Sequence, residues 1–160
     1  LAEISTRVSS SAKRWIQGYE PWHLDALHLR WREEETFKLV DKDLDKLIKA
    51  NQKGCAFTGF TEDSIIGSAG ILPLWEGVGH AWVVFGADYR KHRIWIHRQV
   101  RNMFFKIAVG MKFRRVQANV QADFHEALRW IEALGFECES TLRQYGPDGK
   151  DHYMYTRFFE

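Results

Sequence analysis

A chain of 160 residues with 45% hydrophobic content fits one globular domain with a sizeable core, and a formal net charge of +2 does not mark a general nucleic-acid binder. No apolar run is long enough to cross a bilayer or make a secretory leader, so the expectation is a soluble, cytoplasmic protein. Cys55 and Cys138 lie far apart without metal-type spacing, which predicts reduced thiols packed as small hydrophobes. His92 and His97 do not share a helix face, and no metal site is expected.

Residues 1–13, with Ser9, Ser10 and Ser11 together, read as a flexible arm, and residues 14–160 as the domain. An opening strand is expected around Trp15 and Ile16. Pro21 suits a first helical position, and Leu24, Leu27, His28 and Trp31 continue from it at helical spacing. Residues 36–50 carry Phe37, Val40, Leu44, Leu47 and Ile48 between charges, a second helix that Gly54 stops. The texture then becomes β: a strand at 55–60, a turn at 61–64, a strand at 65–74, a turn at 74–79 and a strand at 80–85 make an antiparallel meander. The longest helix follows at 92–110, with Ile96, Val100, Met103, Phe104 and Ile107 as its buried stripe and Gly110 as its stop. A strand at 114–120 comes next. Trp22, Trp31 and Trp75 are expected mostly in the core.

Asp123 stands three residues before Glu126, a capping-box pattern in which each side chain satisfies a backbone N–H at a helix start. Phe124, Ala127, Leu128, Ile131 and Leu134 then draw one apolar face, and Gly135 supplies the left-handed residue that ends the helix. A strand at 136–142, a turn at 146–149 and a strand at 152–159 close the chain as a hairpin. The Val-rich strand, the helix carrying Ala127 and its end in Leu134, Gly135 and Phe136 resemble the last strand and helix of the GNAT superfamily of N-acetyltransferases. The element order over residues 14–159 is similar to that family's as well. The resemblance implies an α+β single domain, a mixed and mostly antiparallel central sheet with helices on both faces.

It also implies a cofactor and a place for it. In GNAT proteins the fourth strand splays away from the fifth, and acetyl-CoA lies in the gap with its amide arm bonded to the fourth strand, which here ends in Val83, Val84 and Phe85. The pyrophosphate rests on an Arg/Gln-x-x-Gly-x-Gly/Ala loop at a helix N-terminus, and the aligned run is Arg90, Lys91, His92, Arg93, Ile94 and Trp95. Arg90 matches that pattern, whereas Arg93 and Trp95 stand where small residues are expected. A side chain as large as Trp95 either points into the core or blocks the diphosphate. Arg90, Lys91, Arg93, Arg98 and Arg101 crowd a helix start whose dipole is already positive, a repulsion that a bound anion would offset. The other reading is a solvated basic face.

Acyl transfer to an amine needs a base, and His80 at the start of the fourth strand and Glu76 in the turn before it are the candidates, where the resemblance opens the acceptor cleft. A lone His or Glu near a turn is usually a solvated surface group, and His125 in the last helix, which could face the cleft too, is by default an exposed helical His. Many GNAT enzymes carry a Tyr four residues before the glycine of Leu-Gly-Phe, as acid for the departing thiolate; here that position is Ile131. Tyr145, Tyr153 and Tyr155 in the terminal hairpin are the substitutes, with strand packing as their other reading.

The first functional reading is therefore an acyl-CoA N-acyltransferase moving an acetyl group from acetyl-CoA to a small-molecule or protein amine. The second is a non-catalytic structural or virion-assembly protein, because the departures at Arg93, Trp95 and Ile131 resemble divergent GNAT-like proteins of tailed phages. That reading places the chain in the host cytoplasm or the virion. Nucleic-acid binding ranks last, since the cations stop near Arg101. No membrane partner is expected.

Overall fold

A computed structural model describes residues 13–27 and 54–160. The expected arm, the expected helix at 36–50, His28 and Trp31 lie outside the described residues. In chain order the elements are β1 (Arg14–Gly18), α1 (Pro21–Ala26), β2 (Ala56–Thr61), β3 (Ile65–Trp75), β4 (Val78–Phe85), a 3-10 turn (Tyr89–His92), α2 (Arg93–Gly110), β5 (Arg115–Gln121), α3 (His125–Ala133), β6 (Glu137–Leu142) and β7 (His152–Phe158). The seven strands among the described residues belong to one sheet, ordered β1-β2-β3-β4-β5-β7-β6. Its pairings are antiparallel except β4 with β5, whose parallel alignment requires the crossover that α2 provides.

Side-chain alternation divides the core between the two faces. Phe57, Ala69, Ile71, Ala81, Phe85, Val116, Ala118 and Tyr155 point to the face covered by α2 and α3, where they meet Ile96, Val100, Phe104, Ile107 and Ile131. Ala56, Trp82 and Val84 point the other way, against Leu24 and Leu27 at α1. Helices on both faces are thus observed. β2 is buried along its whole length because it is covered on both sides, the condition under which a strand loses its polar alternation. Under α1 the apolar layer gives way to a polar chain: the wholly buried His23 meets Thr58 Oγ1 through Nδ1 at 2.8 Å, and Thr58 Oγ1 lies 2.8 Å from Ser68 Oγ.

Several boundaries differ from the sequence reading for identifiable reasons. α1 ends at Ala26, before the helical spacing runs out, because Leu27 is extended (φ −70°, ψ 132°). The turn expected over 74–79 tightens to the two residues between β3 and β4. Gly77 takes φ 75° there, and a Cβ on it would fall 2.3 Å from an Arg114 Nη1. Gly110 is the last residue of α2 and not its stop; Lys112, at φ 55°, is the left-handed residue. Trp22 and Trp75 are exposed rather than in the core, at 51% and 64%. Both cysteines are free, but Cys138 is exposed, so only Cys55 is a packed thiol.

The capping box also shifts. α3 starts at His125 with Phe124 at its N-cap, and no capping side-chain bond forms there. Asp123 bonds to Gln121 and Lys150, while Glu126 reaches back to the 3-10 turn. Gly135 does end the helix in the left-handed region, at φ 87°.

Candidate active site

The parallel pairing of β4 with β5 joins Val78 to Arg115, Gly79 to Val116 and His80 to Gln117, and stops there. β4 nevertheless runs on to Phe85 and β5 to Gln121. Among the described strands, β4 therefore has no ladder partner on its β5 side from Ala81 to Val84. Backbone N–H and C=O groups demand partners, so this inner edge is prepared to bond an extended ligand lying between the strands.

At the open end of the gap the 3-10 turn follows β4 and α3 follows β5. Tyr89 stacks on Phe85, with ring centroids 4.3 Å apart, and Phe85 meets Trp130 edge-on at 5.3 Å. The Tyr89 hydroxyl donates to Glu126 Oε1 at 3.1 Å, and Arg90 donates to Glu126 Oε2 at 3.2 Å. Glu126 thus ties the two banks together. Lys91 pairs with Asp88 at 2.8 Å, whereas Arg93 and Ile94 are exposed. His92 is half-buried, and burial followed by the nearby Arg14 lowers its pKa despite Asp88.

Trp95 turns away from the gap. A Cβ built on Gly59 would lie 3.2 Å from its ring, and the Arg14 guanidinium sits 5.5 Å above it, so the indole rests on the β1–β2 side of the sheet. Of the two alternatives for this residue, the core is observed. Val83 and Phe85 face α2 and α3, and Val84 faces α1.

His80 is the last β4 residue paired to β5, at the vertex where the strands part, and it shares the α1 face with Trp82 and Val84. Burial lowers its pKa below the ordinary 6.5, which keeps the imidazole neutral and able to accept a proton near neutrality. Glu76 sits in the exposed β3–β4 turn, beyond the paired end of β4, where its backbone oxygen accepts from Arg114 at 3.0 Å. His125 is exposed. Tyr155 is buried on the α2–α3 face, donates to Glu132 at 3.0 Å, and its pKa is pushed up to about 12 by burial first and then by that carboxylate.

The α1 face of β5 and β7 carries residues that the sequence reading passed over. Gln117, Asn119 and Gln121 alternate with the buried Val116 and Ala118, and they pair with Thr156, Met154 and His152. Asn119 Nδ2 donates to the Tyr145 hydroxyl at 3.0 Å, and the Tyr145 ring meets His152 at 5.3 Å. Trp82 Nε1, Asn119 Oδ1 and His152 Nδ1 are buried with no hydrogen-bond partner among the described residues. The period-2 polar pattern at 117, 119 and 121 was the available signal. Among the described residues no three His, Cys, Asp or Glu side chains gather as a metal site would require, and no helix is long and apolar enough to cross a membrane.

No family model and no curated protein matches the sequence. Solved structures do match. Ard1 from Thermoplasma volcanium has a TM-score of 0.71 at 15% identity, over 92% of this chain and 98% of its own. A GNAT-family acetyltransferase from Bacillus anthracis has a TM-score of 0.67 at 18% identity, over 92% and 96%. A spermidine N-acetyltransferase variant from Vibrio cholerae has a TM-score of 0.63 at 13% identity, over 91% and 93%. At these identities the likeness speaks for architecture: the chain has the α+β fold of the GNAT acetyltransferases.

Proposed function

We propose that the chain is an N-acyltransferase that takes an acetyl group from acetyl-CoA and passes it to an amine. The observation that carries this reading is the parting of β4 and β5 after His80 and Gln117, which leaves an unpaired β4 edge beside a half-buried neutral imidazole. Bound acetyl-CoA would supply the activated acyl carbonyl. The residues of the gap fit such a donor: alternate backbone groups of the β4 edge from Ala81 to Val84 face it, and Trp95 leaves the space clear. Arg90 and Arg93 stand at the start of α2 for phosphate, through side chains rather than glycine backbone.

His80 is the proposed base, taking the proton the amine loses as it attacks, and Glu76 is set too far along the paired end to share that role. Backbone N–H groups on the open β4 edge would stabilise the carbonyl oxygen as it gains charge. Tyr155 is a poor acid for the departing sulfur, since its hydroxyl is held by Glu132 and its pKa is about 12, so the C–S bond breaks to release CoA as the thiolate, which solvent protonates.

The second reading, a non-catalytic structural or virion-assembly protein, is favoured by two observations. Arg90 is already paired with Glu126, while Trp22, Trp75 and Phe158 lie exposed as contact groups. Calorimetric titration with acetyl-CoA separates the two. The enzyme reading expects saturable heat at micromolar ligand, weakened in the Arg90→Ala, Arg93→Ala double variant. No heat at millimolar acetyl-CoA would leave the second reading.

A further inference from the structure

α2 buries one side in the core, through Ile96, Val100, Phe104 and Ile107, and the side turned to solvent is short of negative charge. The helix carries Arg93, Arg98, Arg101 and Lys106, and no carboxylate in any of its 18 residues. The chain as a whole is close to balance, with 23 Lys and Arg against 21 Asp and Glu, so the imbalance is local. α3 by contrast mixes Glu126 and Glu132 with Arg129. An ordinary solvated helix face pairs opposite charges four residues apart, and α2 has no acid with which to do so. None of its four cations forms an ion pair with a carboxylate among the described residues.

Large apolar side chains share the solvent side. Ile94, Phe105 and Val109 are 63%, 53% and 52% exposed, and Arg98 and Arg101 are exposed between them. At 3.6 residues per turn these five positions fall within about 80° of arc, on the side turned away from the sheet. They follow one another at steps of four, three, four and four residues, the spacing of a helix seam rather than of scattered surface groups. From Ile94 to Val109 the stripe runs about 22 Å. Near Phe105 it widens onto β7 and the residue after it: the Phe159 ring lies 6.5 Å from the Phe105 ring, and the Arg157 guanidinium sits 5.0 Å over Phe159.

We propose that this stripe docks an acidic amphipathic helix of a partner protein, with carboxylates set against Arg98 and Arg101 and apolar side chains against Ile94, Phe105 and Val109. The inference is independent of the acyltransfer reading, because the stripe faces away from the sheet and its β4–β5 gap. Charge complementarity selects the occupant. A second copy of the chain would bring one acid-free helix against another, gathering like charges with no counter-charge between them. A bilayer surface suits a helix whose apolar groups are gathered on one face and whose cations lie on the other, whereas Arg98 and Arg101 stand inside the same arc as Ile94 and Phe105. A nucleic acid would engage the cations and leave the aliphatic Ile94 and Val109 against phosphate. A partner helix meets both demands, since its own seam presents charged and apolar positions at the same period.

The test uses the full chain and a synthetic helix of about three heptads, with leucine along one seam and glutamate on both sides of it; the control peptide has glutamine for glutamate. In calorimetry the acidic peptide should bind saturably and at least about tenfold more tightly than the control, and it should shift the amide NMR signals of α2. The Phe105→Ser, Val109→Ser double variant and the Arg98→Ser, Arg101→Ser double variant should each weaken it about tenfold. The Arg98→Glu, Arg101→Glu double variant should reverse the preference, rejecting the acidic peptide and accepting one with lysine for glutamate, an exchange that loss of fold would not produce. No saturable binding of the acidic peptide overturns the proposal. So does binding that ignores the changes at Phe105 and Val109, which would reduce the effect to diffuse charge attraction. Tighter binding of phosphatidylserine vesicles or of polyuridine RNA than of the peptide would give the face to another occupant and overturn it too, as would dimerisation of the free chain that the Phe105→Ser, Val109→Ser variant abolishes.

Discussion

Arg90 donates to Glu126 across 3.2 Å, and this one contact joins the turn after β4 to the helix after β5 at the mouth of the gap between them. Both side chains keep solvent contact, so the pair adds little to stability; its effect is on ligands. A diphosphate reaching Arg90 competes with a carboxylate already there. Glu126→Gln should tighten acetyl-CoA binding about fivefold, the equivalent of about 1 kcal/mol, and steepen its salt dependence as Arg90 is freed. Unchanged affinity would show that Arg90 does not meet the phosphates.

His23 gives a stability prediction with a defined sign. Burial holds its folded pKa below the ordinary 6.5, outweighing the opposing pull of Glu20, while the unfolded residue titrates near 6.5. Between the two values the unfolded chain binds more protons. The stabilisation is therefore complete above 6.5 and is lost as the pH falls below it toward the folded value. His80, His92 and His152 are shifted in the same direction and add to the slope. Urea midpoints should drop between pH 7.5 and 5.5, less so in His23→Gln. At pH 7.5 His23→Ala should cost about 2–4 kcal/mol, from the lost volume and the lost bonds of Nδ1 to Thr58 and to the Glu20 backbone.

Gly79 lies beside the vertex, where a Cβ would fall 2.4 Å from Ile71 Cγ2 and 3.2 Å from the Phe113 ring. Gly79→Ala should destabilise by about 1–3 kcal/mol in chemical denaturation, the range for overpacking a filled core. A neutral result would mean that Phe113 and Ile71 yield freely.

Tyr155→Phe removes the bond to Glu132 and should cost about 1 kcal/mol of stability while leaving acetyl-transfer kinetics unchanged. His80→Gln should instead abolish turnover and keep acetyl-CoA binding. In the wild type kcat/KM should rise with pH through a pKa below 6.5 and be flat at neutrality. Loss of turnover in the Tyr155 variant would contradict the roles assigned to both residues.

The fold was legible because its signals are periodic. The Ile96, Val100, Phe104 and Ile107 stripe and the Gly135 stop record backbone geometry directly, and both stand where the spacing puts them. The site was less legible because its decisive contacts are long-range. Asp123 and Glu126 have the spacing of a capping box, yet Glu126 bonds to Tyr89 and Arg90, more than thirty positions away. The direction of Trp95 was left open between core and diphosphate because Gly59, the residue that receives its ring, lies on another element. Asn119 and His152 share a face only through the β5–β7 register, which no local motif encodes. Trp22 and Trp75 were assigned to the core by residue type alone, and type does not report which face a side chain takes.

The central claim is that the unpaired β4 edge receives acetyl-CoA, and backbone amide NMR of the full chain during titration tests it most directly. The amides of residues 81–85 on β4 and of Arg90 and Arg93 should shift together and saturate, with those of β6 unmoved. Spectra unchanged at millimolar acetyl-CoA, or shifts confined to β6 and β7, would contradict it.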